Sequence, residues 1–110
     1  MSYFKNPQEK EYRDLSPGVH ARPFWGDDLM LVVVDFDPHA EVPLHSHPHE
    51  QAGTVLEGEI KFVIAGERKT LHTGDLYFIP KDVEHNATAG NIGARIMDIF
   101  TPIREDFIKE

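Results

Sequence analysis

At 110 residues the chain is long enough for one domain and too short for a second core, and its lack of cysteine excludes disulfides, thiolate metal sites and thiol nucleophiles. A net charge of -8 argues against nucleic-acid binding, which requires a basic stripe. The first fifteen residues carry no apolar core and the longest apolar run, Leu29 to Val34, is far short of a membrane span, so neither a signal peptide nor a membrane partner is expected, and a cytoplasmic location is.

Residues 1–16 read as an N-terminal arm, with Pro7 and the charge run Glu9-Lys10-Glu11 set against an early strand and with Tyr3 and Phe4 available to dock on the body or on a partner. Residues 17–110 read as the single domain. Pro17-Gly18 is turn chemistry, and Val19 to Trp25 then reads as a short edge strand, because proline at position 23 is tolerated at an edge. Arg22 on that strand has two placements, one covering apolar surface with its stem and one facing a pocket as a substrate-binding residue. The β-branched run Leu29 to Asp37 reads as a strand buried on both faces.

Next comes Pro43-Leu44-His45-Ser46-His47-Pro48-His49-Glu50-Gln51, which places three of seven histidines within five residues. In extended chain His45 and His47 project to the same side and can share one ion. Gln51 follows the corner at Pro48 and offers an amide oxygen as a third ligand. His49 and Glu50 compete for this role, but Pro48 interrupts the alternation before them and places His49 at the turn surface. Downstream, Pro80 and Asp82 form a turn that delivers His85 to a new strand, and strands of a closed barrel meet across such sequence distances. Imidazole nitrogens with one oxygen suit zinc, nickel, iron, manganese or copper, and one site of this kind is expected per chain.

Between and beyond these ligands, residues 52–57 lead to Gly58 and residues 59–65 return from it as a hairpin. Short strands follow at residues 69–71 and 76–79. Asn86 to Gly93 reads as a polar connection, and Ala94 to Thr101 as the last strand, ended by Pro102 and a tail with one helical turn. Many short strands divided by turn signals give an all-β fold, a double-sheet jelly roll.

On the last strand Ile96, Asp98 and Phe100 share one face. A carboxylate facing a barrel interior is costly unless it is paired, protonated or close to a metal, which makes Asp98 a catalytic candidate. Arg104, beyond Pro102, can curl over the barrel mouth and hold a carboxylate in a fork. The competing arrangement has Asp98 facing solvent and Arg104 paired with Glu105 or Asp106.

Pro43 to Gly58 resembles the first cupin motif and Gly74 to His85 the second, with Gln51 standing where the family commonly has glutamate. The segment from Met97 to Phe107, together with His-x-His-Pro-His-Glu-Gln, resembles the single-domain pectin-degradation cupins of the KdgF type. That resemblance implies a jelly-roll cupin barrel (a double-stranded β-helix) and a metal held by His45, His47, Gln51 and His85. It also implies that Asp98 and Arg104 serve the reaction and that Phe100 shapes the site. The implied reaction opens 4,5-unsaturated monouronates released by pectate or alginate lyases and ketonises them to linear keto-uronates. A mononuclear iron cupin dioxygenase and a non-catalytic cupin binding a sugar acid or a metal share the same ligand shell. A homodimer is expected, because a small sandwich leaves sheet edges that invite pairing, and cupins of this size are commonly dimeric.

Overall fold

The computed structural model describes residues 2–108 and contains eight strands joined in antiparallel ladders, with two 3-10 turns. The strands are β1 (Arg13–Ser16), β2 (Val19–Trp25), β3 (Met30–Phe36), β4 (Glu41–His45), β5 (Glu50–Ile64), β6 (Glu67–His72), β7 (Leu76–Ile79) and β8 (His85–Thr101). The 3-10 turns span Pro7–Glu9 and Glu105–Phe107. Among the described residues no helix is long and apolar enough to cross a membrane.

Two long strands organise everything else. β5 runs for 15 residues and β8 for 17, and they pair twice, Glu50–Gly58 against Ala94–Thr101 and Ile60–Ile64 against His85–Ala89. Between these stretches the register slips and both chains bend where Gly58 (φ 83°), opposite Ala94, stands against the backbone of Gly93 (φ 77°). Only glycine fits there: a Cβ on Gly58 would stand 2.2 Å from the Gly93 carbonyl oxygen, and positive φ is costly for any larger residue. The bend divides the sheet into two faces. One face runs β1-β2-β3-β8-β5-β7 through the first stretch and the other runs β4-β8-β5-β6 through the second. They close on a core that includes Val19, Met30, Val32, Val55, Ile60, Ile79 and Phe100. This is the all-β jelly-roll barrel that the strand pattern implied.

Several local expectations are corrected. The expected hairpin at Gly58 and the expected polar connection from Asn86 to Gly93 are both interior parts of continuous strands. β1 forms within the stretch read as an arm, pairing with β2 from Arg13↔Ala21 to Ser16↔Val19. His20 reinforces this junction: its Nδ1 lies 2.6 Å from Asp14 and its Nε2 3.3 Å from Asp37, and hydrogen bonding to Asp14, opposed by burial, raises its pKa. β1 ends before Pro23, so the missing N–H of that proline falls on a part of β2 whose other edge is open. β3 is not buried on both faces, since Met30, Val32, Val34 and Phe36 point inward while Leu31, Val33 and Asp35 face out.

Candidate metal centre

Three elements bring the histidines together. His45 ends β4 and pairs directly with His85 at the start of β8. His47 lies just past β4, in the connection to β5 and not on the strand itself, with its carbonyl held by the Asp82 N–H at 2.8 Å. The ring centroids of His45 and His85 are 4.3 Å apart, those of His47 and His85 5.0 Å, and those of His45 and His47 5.6 Å. One ligand nitrogen from each of the three lies within 4.8 Å of the others.

The protonation pattern fits a metal. His45 Nδ1 donates to the Pro43 carbonyl and His85 Nδ1 to the Val83 carbonyl, both at 2.8 Å. A carbonyl can only accept, so each Nδ1 carries the proton and each Nε2 keeps its lone pair, the state a ligand needs. Burial, then the charges of Arg104 and His85, push the His47 pKa down to about 4. Burial likewise lowers that of His85. Both rings are therefore neutral at pH 7, the charge state that coordination requires. A cavity of about 40 Å³ bounded by His45, Gln51, His85, Phe100 and Arg104 has the size of an ion with a small ligand. A larger groove of about 410 Å³ runs outward past His45, Leu44 and Arg104.

Gln51, buried at the start of β5, links this cluster to a carboxylate. Its Oε1 stands 3.1 Å from His47 Nε2, and its side chain hydrogen-bonds Asp98. An amide can turn its oxygen to a cation and its N–H to a carboxylate at once; a glutamate here would set two carboxylates against each other. Asp98 is itself buried and faces inward with Ile96 and Phe100, as strand parity requires. Burial raises its pKa to about 6, while hydrogen bonds from Tyr77 and Gln51 and the charge of Arg104 act in the opposite sense. The Tyr77 hydroxyl donates to Asp98 Oδ1 at 2.5 Å.

Arg104 leaves the chain just after Pro102 and lies over two aromatic rings, 4.0 Å from the Phe107 centroid and 5.1 Å from that of Phe100. It also forks onto Asp106, with Nη2 at 2.9 Å. Phe100 meets His47 edge-on, with ring centroids 5.6 Å apart, and so borders both the histidines and the guanidinium. The two C-terminal arrangements left open by the sequence are thus both partly present: Asp98 faces inward, and Arg104 is nonetheless paired with Asp106.

Two expected placements change. Arg22 faces outward with its guanidinium on Asp35 at 2.8 Å and its Nε on the Lys10 carbonyl, so it does not reach the histidine cluster. Parity explains this, because Ala21 and Pro23 take the inward positions of β2. His49 is half-buried beside His47, at 5.4 Å between centroids, and not on the turn surface; it stays outside the histidine triad. Tyr77 went unread in the sequence. Its parity with the core residue Ile79 was a usable signal, since an inward tyrosine hydroxyl needs a buried acceptor.

The sequence matches the cupin domain family over residues 32–100. It is 35% identical over 102 residues to the pectin degradation protein KdgF of Dickeya dadantii, covering 91% of this chain and 93% of that protein. The structure superposes on that of KdgF from Halomonas sp. with a TM-score of 0.88 at 31% identity, covering 96% and 98% of the two chains. A RmlC-like cupin from Shewanella frigidimarina gives 0.89 at 34%, covering 97% and 96%. With a barrel bent at Gly58 and Gly93, a triad of converging histidines and these relatives across nearly its full length, the chain belongs to the cupin superfamily and is KdgF-like.

Proposed function

We propose that the protein is a metal-dependent enzyme that converts 4,5-unsaturated monouronates to linear keto-uronates by ring opening and ketonisation. The observation that carries this reading is Asp98, a buried inward carboxyl that Gln51 ties to the histidine triad while an aromatic-backed guanidinium stands nearby. His45, His47 and His85 would hold one divalent transition metal through ring nitrogens and Gln51 through its amide oxygen. When bound, such an ion acts as a Lewis acid on substrate oxygen.

The chain's own groups do the rest. Arg104 holds the sugar carboxylate in a bidentate grip, and Phe100 closes the pocket floor between that grip and His47. Asp98 takes the proton of the anomeric hydroxyl as the C1–O5 bond breaks, which leaves an aldehyde at C1 and an enolate across C4, C5 and O5. Return of a proton to C4 gives the C5 ketone. The sum is an isomerisation with no redox change.

Purified, metal-loaded protein added to a pectate- or alginate-lyase digest tests this directly. The expected result is loss of the unsaturated ultraviolet chromophore, growth of keto-uronate signals in NMR, and no oxygen uptake. A chromophore that persists, or one that disappears only with oxygen consumption by bound iron, overturns the reading in favour of a binder or a dioxygenase. Arg104→Ala is expected to raise KM about 10- to 100-fold, in keeping with loss of a charge-assisted fork. Turnover falls as well where anchoring sets the sugar's pose, and steady-state kinetics at saturating metal separates the two effects.

The enzyme works as a homodimer in this proposal. Across the outer face Phe24, Leu31, Ile99, Ala52 and Phe78 fall in one row by ladder register, and Leu76 and Phe78 are 70% and 71% exposed. Tyr3 and Phe4 project from the arm and are similarly uncovered. A second copy is the partner that covers such a face without excess charge. Light scattering over a hundredfold dilution is expected to give twice the chain mass at micromolar concentration; a concentration-independent monomer contradicts the dimer.

A further inference from the structure

Tyr77 and Asp98 are not neighbours in the sheet. β7 pairs with β5 and β5 with β8, so that Tyr77, Gly53 and Asp98 fall in one row with glycine in the middle. The tyrosine ring lies across that glycine to reach the carboxyl. A Cβ at position 53 would stand 2.3 Å from both Cζ and Oη of Tyr77, so any larger residue closes the path. The glycine is there for room, since its backbone is not in the positive-φ region. Phe62 packs on the ring at 4.3 Å between centroids and fixes its plane. The hydroxyl, shut away from water and with its pKa raised by burial, remains a donor at every working pH.

A core needing only bulk would be served by phenylalanine and would not place a carboxyl opposite it. The same row instead fixes one carboxyl oxygen from the β7 side while Gln51 holds the group from the metal side. We propose that Tyr77, seated over Gly53, is the positioning residue that sets the orientation of the Asp98 carboxyl for proton transfer. The proposal rests on the assignment of Asp98 as the proton-transfer group.

Its test is Tyr77→Phe, alone and combined with Asp98→Asn, in the metal-loaded protein. Tyr77→Phe keeps the ring and removes one oxygen, so folding and metal content are expected to hold. Turnover is expected to fall about 10- to 100-fold with KM within a factor of about three, as for a misoriented reacting group. On the Asp98→Asn background the same change is expected to do nothing further, because a residue acting through Asp98 has nothing left to position. A downfield hydroxyl proton in the NMR spectrum, lost in Tyr77→Phe, moved upfield in Asp98→Asn where a neutral amide replaces the carboxylate as acceptor, and kept in Arg104→Ala, reports the contact independently of activity.

A parent turnover in Tyr77→Phe overturns the positioning role alone when Asp98→Asn is impaired. Losses that multiply in the double variant overturn it too, since Tyr77 then acts by another route. A parent rate in Asp98→Asn removes the proton-transfer assignment and the positioning role with it. Gly53→Ala, which displaces the ring, is expected to reproduce the turnover loss and the missing proton resonance.

Discussion

Asp98→Asn is expected to lower turnover by about 10²–10⁴ while leaving metal content and substrate binding close to the parent. Asparagine keeps the shape and an acceptor for the Tyr77 hydroxyl, and removes only the group that titrates. The same change is expected to stabilise the metal-free protein at pH 7. Burial raises the Asp98 pKa to about 6 against a usual value of 3.8, so the ionised form is disfavoured in the fold. The sign follows from that: the contribution is fully present below the unfolded value, is lost as pH rises through about 6, and is absent at pH 7. Removing the charge recovers up to about 3 kcal/mol, two pKa units at 1.36 kcal/mol each. Denaturant titration at pH 7 and pH 4 measures it, with a gain expected at the higher pH and little at the lower. Unchanged turnover, or lower stability at pH 7, contradicts the assigned role.

His47→Ala is expected to abolish stoichiometric metal binding and with it the activity. His47 contacts all the other components, with its ring against His45, His85 and Phe100 and its Nε2 beside Gln51. Two imidazoles and one neutral amide make a weak set for any of the candidate metals at neutral pH. The measurement is metal content by elemental analysis after chelation and re-addition, and full occupancy in His47→Ala would mean that the ligand set is wrong. His49→Ala is the control, expected to keep its metal because its ring lies outside the triad. Acid should release the ion from the parent as well, because His47 and His85 coordinate only as neutral rings, and burial, which lowers the pKa of both, moves that release below the usual imidazole range.

The histidine cluster was legible because three candidate ligands lie close together in sequence and the fourth position is announced by a proline turn. Parity put Asp98 on one face with Ile96 and Phe100 but left open whether that face was inward, and the resemblance to the KdgF-type cupins favoured the inward one. What the sequence hid follows from one ambiguity: glycine with positive φ serves both a hairpin and a bent continuous strand, and nothing local to Gly58 or Gly93 separates the two. The ladder between β5 and β8 decides it, and a ladder is a long-range property. β3 misled for another reason. A run of aliphatic residues looks the same whether its second face packs within the chain or stands open, as Leu31 does. Arg22 could be settled only by its distant partner Asp35, and Tyr77 only by seeing glycine lie between it and Asp98.

His85 and Asp98 stand on one strand on opposite sides of the Gly93 bend, and the bend isolates their registers from each other. An in-frame gain or loss of a single codon between Ala94 and Met97 would therefore rotate Asp98 and Phe100 to the outer face and bring Met97 and Ile99 inward, while His85 keeps its pairing with His45. One genetic event of the smallest size replaces the inward carboxyl with apolar side chains and leaves the histidines intact. The barrel thus inherits its histidine end and its carboxyl end as separately mutable halves of the same strand.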